Sequence, residues 1–317
     1  MSESTGDVRF IPDQVYSHAG GLERLADMYV PTAAQRSIPI VVWLHGGGWR
    51  FGDRRMAPDL NAFAQASGLA VVSIDYRLSD EAKFPAPVED VKTAVRWARS
   101  VADKFGLDGG HVGLWGSSAG GHLAACAALS GKDQFPGDEH TAYLSDVQAV
   151  VDGYGPTNLG RIDAARTAMP TGSTDTESLA IGRVLPAGDP DSFESRLLGV
   201  PAISSAREVE LADPVYYMHS GCAPFLILHG MADSLIPYLQ SRYLFDSLND
   251  AGNDATLVEF ETLKHGFFNN ANLAHENYGR VTVHRSLSQA RGVAWDCNVD
   301  ETIPSMVSSF FRAYLAG

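Results

Sequence analysis

Apolar residues fall in two textures along this chain. Nearly unbroken apolar runs at residues 38–44, 69–75, 111–115, 147–151, 225–228 and 255–260 have the length of strands buried on both faces. Between them, apolar residues recur at helical spacing. In 87–105 they are Val88, Val91, Val95, Ala98 and Val101, with Gly106 as the stop signal. Further helices are predicted over 58–67, 119–129, 238–248 and 303–315, and residues 15–30 predict two short strands around the Gly20-Gly21 turn. Strands alternating with helices predict an α/β fold, its mostly parallel sheet covered by helices on both faces. Residues 159–213 and 269–300 break this rhythm and read as irregular. Insertions of that length after strand ends are usually functional covers, and such sheets bind ligands beyond their strands' carboxyl ends. The expectation is one domain over 1–317 with cover segments at about 159–213 and 269–300.

With 317 residues and 45% hydrophobic content, the chain can bury a sizeable core. A formal net charge of -14 argues against nucleic-acid or anionic-membrane partners, which need clustered Lys and Arg. No apolar run reaches the roughly 18 residues of a membrane span. The N-terminal text M-S-E-S-T-G-D-V has neither the basic residue nor the apolar stretch of a secretory signal. Cys126, Cys222 and Cys297 are odd in number and widely spaced, which speaks for a reducing cytoplasm rather than a disulfide framework. Phosphate-loop and zincin signatures are absent, so no metal or cofactor is expected.

One stretch carries candidate chemistry. In Gly116-Ser117-Ser118-Ala119-Gly120, only Ser118 holds the central position of G-x-S-x-G. A serine on a sharp strand-to-helix turn needs tiny residues two before and two after, and Gly116 and Gly120 supply them. Gly121 lets the helix approach the sheet, and the helix start aims its dipole at a developing oxyanion. A plain helix cap would use Ser117 or Ser118 equally well, so the partners must decide.

Three candidates lie just past other strands. His45-Gly46-Gly47-Gly48-Trp49 follows the run 38–44, and its glycines can turn backbone N–H groups inward. Gly47, Gly48 and the N–H of Ala119 are the expected oxyanion hole, with Gly46 in reserve. His265 ends T-L-V-E-F-E-T-L-K-H-G, where a mobile imidazole could reach Ser118. Asp233 follows F-L-I-L-H-G-M-A-D and would orient that imidazole. His45 reads as a brace for the glycine loop, His122 as packing, and His229 as the close of a strand. The chain order Ser118, Asp233, His265 is that of α/β-hydrolases.

These residues make the chain resemble an α/β-hydrolase of the hormone-sensitive-lipase-like esterases, and most of all the neighbouring bacterial feruloyl and acetyl esterases. The matching text includes V-V-W-L-H-G-G-G-W, V-V-S-I-D-Y-R-L, F-P-A-P-V-E-D, L-W-G-S-S-A-G-G-H-L-A, D-G-Y-G-P-T-N-L, E-S-R-L-L-G, L-I-L-H-G-M-A-D-S-L-I-P and H-G-F-F-N. The resemblance implies a serine esterase for short-chain or aryl acyl esters with Ser118, Asp233 and His265 as its catalytic set. It implies an oxyanion hole at the glycine loop. Departures from lipase-like members, a short stretch before the first strand and the acid loop H-G-x-x-D-x-x-I-P, imply smaller, less greasy substrates. Trp49, Tyr154 and residues 197–200 are expected pocket walls. Segment 269–300, with Tyr278 and Trp295, is expected over the site or at a subunit contact. The partner is a small-molecule ester, and a homodimer is the default oligomer. The same triad would serve an amidase, an arylformamidase or a small peptidase. A ligand receptor on this scaffold would ordinarily lack a triad member. Because the base must be neutral, activity is expected to fall below about pH 6.5, the ordinary histidine value.

Overall fold

The computed structural model describes residues 7–32, 37–168, 184–203, 205–269, 277–287 and 295–315. Its strands are β1 (Val8–Ser17), β2 (Arg24–Pro31), β3 (Ile38–Leu44), β4 (Ala70–Ile74), β5 (Leu107–Ser117), β6 (Ala149–Gly153), β7 (Phe225–Gly230), β8 (Ala255–Phe260) and β9 (Val281–Arg285). They form one sheet in the order β1-β2-β4-β3-β5-β6-β7-β8-β9. Strands β3 to β8 pair in parallel, whereas β1, β2 and β9 are antiparallel additions at the two edges.

Alternation within each run explains why the central strands are apolar throughout. In β3, Ile40, Val42 and Leu44 enter one core, while Val41 and Trp43 enter the other. Helices α2 (Ala86–Ser100), α4 (Ala119–Leu129) and α8 (Leu239–Asp250) cover the first face. The second is covered by α1 (Leu60–Ser67) and α9 (Ile303–Leu315), with Phe310 and Phe311 in its core. Removing that apolar area from water is the main favourable contribution to the fold.

Three expectations are corrected. The stretch 87–105 is not one helix: it divides at Val101 into α2 and the short α3 (Ala102–Phe105). The first strand begins at Val8, well before residue 15; Pro12 and Asp13, at a register shift between Ile11 and Gln14, interrupt its apolar pattern. Within 269–300, residues 281–285 are regular β9, paired antiparallel with β8. Beside it, Tyr278 packs edge-on against Phe260, and Trp295 packs against Phe310. These two aromatics serve the second core; residues 270–276 and 288–294 lie outside the described residues.

The insertion after β6 contributes α5 (Ile162–Ala168), α6 (Phe193–Leu198) and α7 (Arg207–Leu211), with 169–183 and 204 outside the described residues. No helix among the described residues is long and apolar enough to cross a membrane.

Candidate active site

Strand β5 runs into α4 through Ser118, whose φ of 52° and ψ of -118° lie outside the ordinary regions for a side-chain-bearing residue. The turn closes because its neighbours lack side chains. A Cβ on Gly116 would stand 2.2 Å from the carbonyl oxygen of Gly120, and one on Gly120 would stand 2.1 Å from that of Leu44. The Ser118 N–H donates to Gly153 O at 2.7 Å, and its carbonyl accepts from His122 N at 3.1 Å.

Three strand ends bring the predicted set together. His265 Nδ1 lies 2.7 Å from Asp233 Oδ2, and its Nε2 lies 2.9 Å from Ser118 Oγ. An ionised carboxylate only accepts, so Nδ1 carries the proton and Nε2 is left to accept from the Ser118 hydroxyl. Asp233 is fully buried. Its Oδ1 accepts from Leu235 N and Ile236 N, each at 2.9 Å. Burial alone would raise its pKa, but the charges and hydrogen bonds of His265 and His229 outweigh it and hold the carboxyl below the usual Asp range.

His229 closes its strand, and the structure gives it a further role. Its Nε2 faces two acceptors, Ile236 O at 2.9 Å and Asp233 Oδ2 at 3.3 Å. Its Nδ1 accepts from the Ser241 hydroxyl at 2.7 Å. The tautomer is therefore set, with the proton on Nε2 toward the acid loop. Beneath the elbow, burial raises the Asp152 pKa to about 7, against the smaller opposing effects of the Gly155 N–H and His229. Its Oδ1 accepts from Gly155 N at 3.0 Å, while Oδ2 finds no partner among the described residues.

A cavity of about 870 Å³ opens over Ser118 and His265, with Gly46, Gly47, Gly48 and Ala119 in its wall. Gly47 and Gly48 have φ of 103° and 60°, and Gly47 O accepts from the N–H groups of Arg50 and Phe51. The N–H groups of Gly47 and Gly48 in that turn, and of Ala119 at the start of α4, have no acceptor among the described residues. The loop is braced as expected by His45, which stacks on Tyr76 at 4.2 Å and meets Gly46 O through Nδ1 at 2.7 Å.

Trp49 and Tyr154 both line the cavity. Each also packs against a histidine, Trp49 edge-on to His122 at 5.2 Å and Tyr154 edge-on to His265 at 4.9 Å. The wall expected from 197–200 is corrected. Leu197 and Leu198 belong to the core, and α6 instead presents Phe193 and Glu194, with Arg166 of α5 beside them. Phe193 and Glu194 lie one turn earlier on the face of α6 that carries Leu197 and Leu198, and only that first turn reaches the cavity. The wall signal lay in E-S-R-L-L-G, whose glutamate is Glu194. Among the described residues, no group of three or more His, Cys, Asp or Glu is arranged to hold a metal ion.

Esterase LipQ of Mycobacterium tuberculosis is 32% identical over 254 residues, 78% of this chain and 55% of the relative. The chain thus spans about half the length of the first curated relatives it matches. Among solved structures, the truncated form of a carbohydrate esterase from gut microbiota superposes with a TM-score of 0.70 at 25% identity. That match covers 84% of this chain and 91% of the other. The butyrate-bound thermophilic esterase Est2 of Thermogutta terrifontis gives 0.63 at 25% identity, covering 84% of this chain and 86% of the other. Such matches establish the α/β-hydrolase fold. The BD-FAE family profile matches residues 26–248, which include Ser118 and Asp233 and stop short of His265. On that match, which covers the serine elbow and the acid loop, the chain belongs to the BD-FAE family.

Proposed function

We propose that this protein is a serine carboxylic-ester hydrolase acting through an acyl-enzyme. The observation that carries the reading is the continuous chain from Ser118 Oγ through His265 to buried Asp233, at 2.9 and 2.7 Å. Ser118 Oγ attacks the ester carbonyl while His265 Nε2 takes its proton, and the carbonyl electron pair moves onto oxygen. That oxyanion lies against the N–H groups of Gly47, Gly48 and Ala119, which have no other acceptor among the described residues. Collapse of the tetrahedral adduct expels the alcohol, which receives the proton from His265. Water then repeats the sequence with His265 as base, releasing the acid and restoring Ser118.

The names of the relatives support the reaction class, and the butyrate in the Thermogutta esterase supports a short acyl group. Trp49 and Tyr154 wall the substrate, and the insertion after β6 completes the cover through Arg166, Phe193 and Glu194. A reducing cytoplasm fits three unpaired cysteines.

A fluorophosphonate probe with peptide mapping tests the assignment. A single adduct on Ser118, abolished in Ser118→Ala together with hydrolysis of p-nitrophenyl butyrate, is expected. Labelling at Ser117, or turnover within tenfold of the parent in Ser118→Ala, would overturn it.

A further inference from the structure

Helix α6 rests directly on the glycine loop: a Cβ on Gly48 would stand 2.6 Å from the Phe193 ring. Its base is fixed, since the Ser192 and Ser195 hydroxyls both donate to Ala187 O at 2.7 Å. The next residue, Glu194, is therefore held at a set place relative to Ser118, in the wall of the same cavity. Its side chain is only 4% exposed, and Oε1 accepts from Arg166 Nη2 at 3.1 Å. Arg166 also donates to Asp163 Oδ1 at 2.8 Å and to Leu235 O at 3.3 Å, two residues past Asp233.

Such a pair contributes little to stability, because desolvation of both ions offsets their attraction, and an apolar pair would fill the gap as well. Its open valences point elsewhere. Three of the five Arg166 N–H groups are used, and Glu194 Oε2 accepts no hydrogen bond among the described residues. The pair also separates the catalytic cavity from a smaller one of about 280 Å³ that reaches Arg50 and Arg196.

We propose that Glu194 and Arg166 are a specificity pair that recognises a neutral vicinal diol on the part of the ester remote from the reacting carbonyl. One hydroxyl donates to Glu194 Oε2, and the neighbouring oxygen accepts from a spare Arg166 N–H. With Asp163, two carboxylates stand against the one guanidinium, so a carboxylate substituent gains no net attraction. A trimethylammonium group can neither donate to Glu194 Oε2 nor accept from Arg166. This proposal rests on the ester-hydrolase reading.

The test compares kcat/KM for four acetate esters: glycerol 1-acetate, which keeps a free 1,2-diol, its deoxy counterpart, and counterparts bearing a carboxylate or a trimethylammonium group. The wild-type protein should prefer the diol ester. Glu194→Gln keeps the shape and an acceptor for Arg166 but sets an N–H₂ donor where Oε2 was. It should lower the diol-to-deoxy ratio about tenfold or more, the discrimination expected of a hydrogen bond to a charged group. Arg166→Lys, which keeps the charge and loses the fork, should lower the ratio in the same direction and serves if Glu194→Gln does not fold. A wild-type ratio near one, a charged ester preferred, or variants that slow all four esters equally would overturn the proposal. Failure of the ester-hydrolase reading looks different, with no hydrolysis of any ester and no fluorophosphonate adduct on Ser118.

Discussion

Asp233 has two imidazoles on one carboxylate oxygen and two backbone N–H groups on the other. Asp233→Asn would replace an acceptor by a donor opposite His265 Nδ1 and favour the wrong tautomer. A loss of about 10³- to 10⁴-fold in kcat is expected for short-chain esters, with the fold unchanged by circular dichroism. Asp152 makes the contrasting case. Its carboxyl is raised to about 7 in the folded chain and returns to about 3.9 when unfolded. Between those values the folded protein binds a proton that the unfolded chain has lost, so this group makes stability fall as pH rises, levelling above about 7. Asp152→Asn should shrink the decline in urea-unfolding free energy between pH 4.5 and 8. An unchanged decline would place that titration on other groups.

Helix α4 is bound to the sheet more closely than side chains would permit, and that closeness holds the elbow in its strained conformation. Gly120 is the point of contact, with the backbone of Leu44 where its Cβ would be. Gly120→Ala must push α4 away from β3. A loss of at least about 2 kcal/mol in urea unfolding is expected, with esterase activity falling as well, because the helix carries the Ala119 N–H. Normal stability in this variant would mean that the turn is not over-determined by its packing. The acid loop shows the same dependence between elements. Asp233 follows β7 and His265 follows β8, and because these strands are parallel neighbours, both loops leave the same edge of the sheet. Sheet order thereby converts a 32-residue separation into a 2.7 Å contact.

Over the whole molecule, burial sets the response to acid. His45 and His122 are fully buried, and burial lowers both pKa values to about 4. The unfolded chain takes up protons at these sites below about pH 6.5, whereas the folded chain stays neutral there until about 4. Their contribution is therefore complete above about pH 6.5 and is lost as pH falls toward 4, opposite in sign to Asp152. His122→Gln can still donate to Ala212 O and does not titrate. Its unfolding free energy should drop less than that of the wild type between pH 7 and 4.5, and an equal drop would overturn this account of His122. The net charge of -14 acts at longer range, keeping molecules apart and disfavouring polyanionic surfaces.

Local chemistry is legible in the residues alone. Runs 38–44, 119–129, 255–260 and 303–315 announce strand or helix because burial on both faces demands unbroken apolar text and burial on one demands a period of 3.6. The elbow and glycine loop are legible for a related reason, since positive φ and close backbone approach leave few residue types but glycine. Other features depend on neighbours distant in the chain. Pro12 and Asp13, at an irregularity in the pairing, hid the first half of β1, and β9 is a strand because β8 offers an unpaired edge. His229 reads as the end of a run, and only the fold sets its Nε2 against Asp233. Glu194 and Arg166 are 28 residues apart, and their meeting at the cavity depends on how α5 and α6 pack over the sheet's carboxyl edge. Covalent neighbours impose conformational limits, which sequence patterns carry. Hydrogen-bond partners across the chain are chosen by packing, and that selection exists only in the folded molecule.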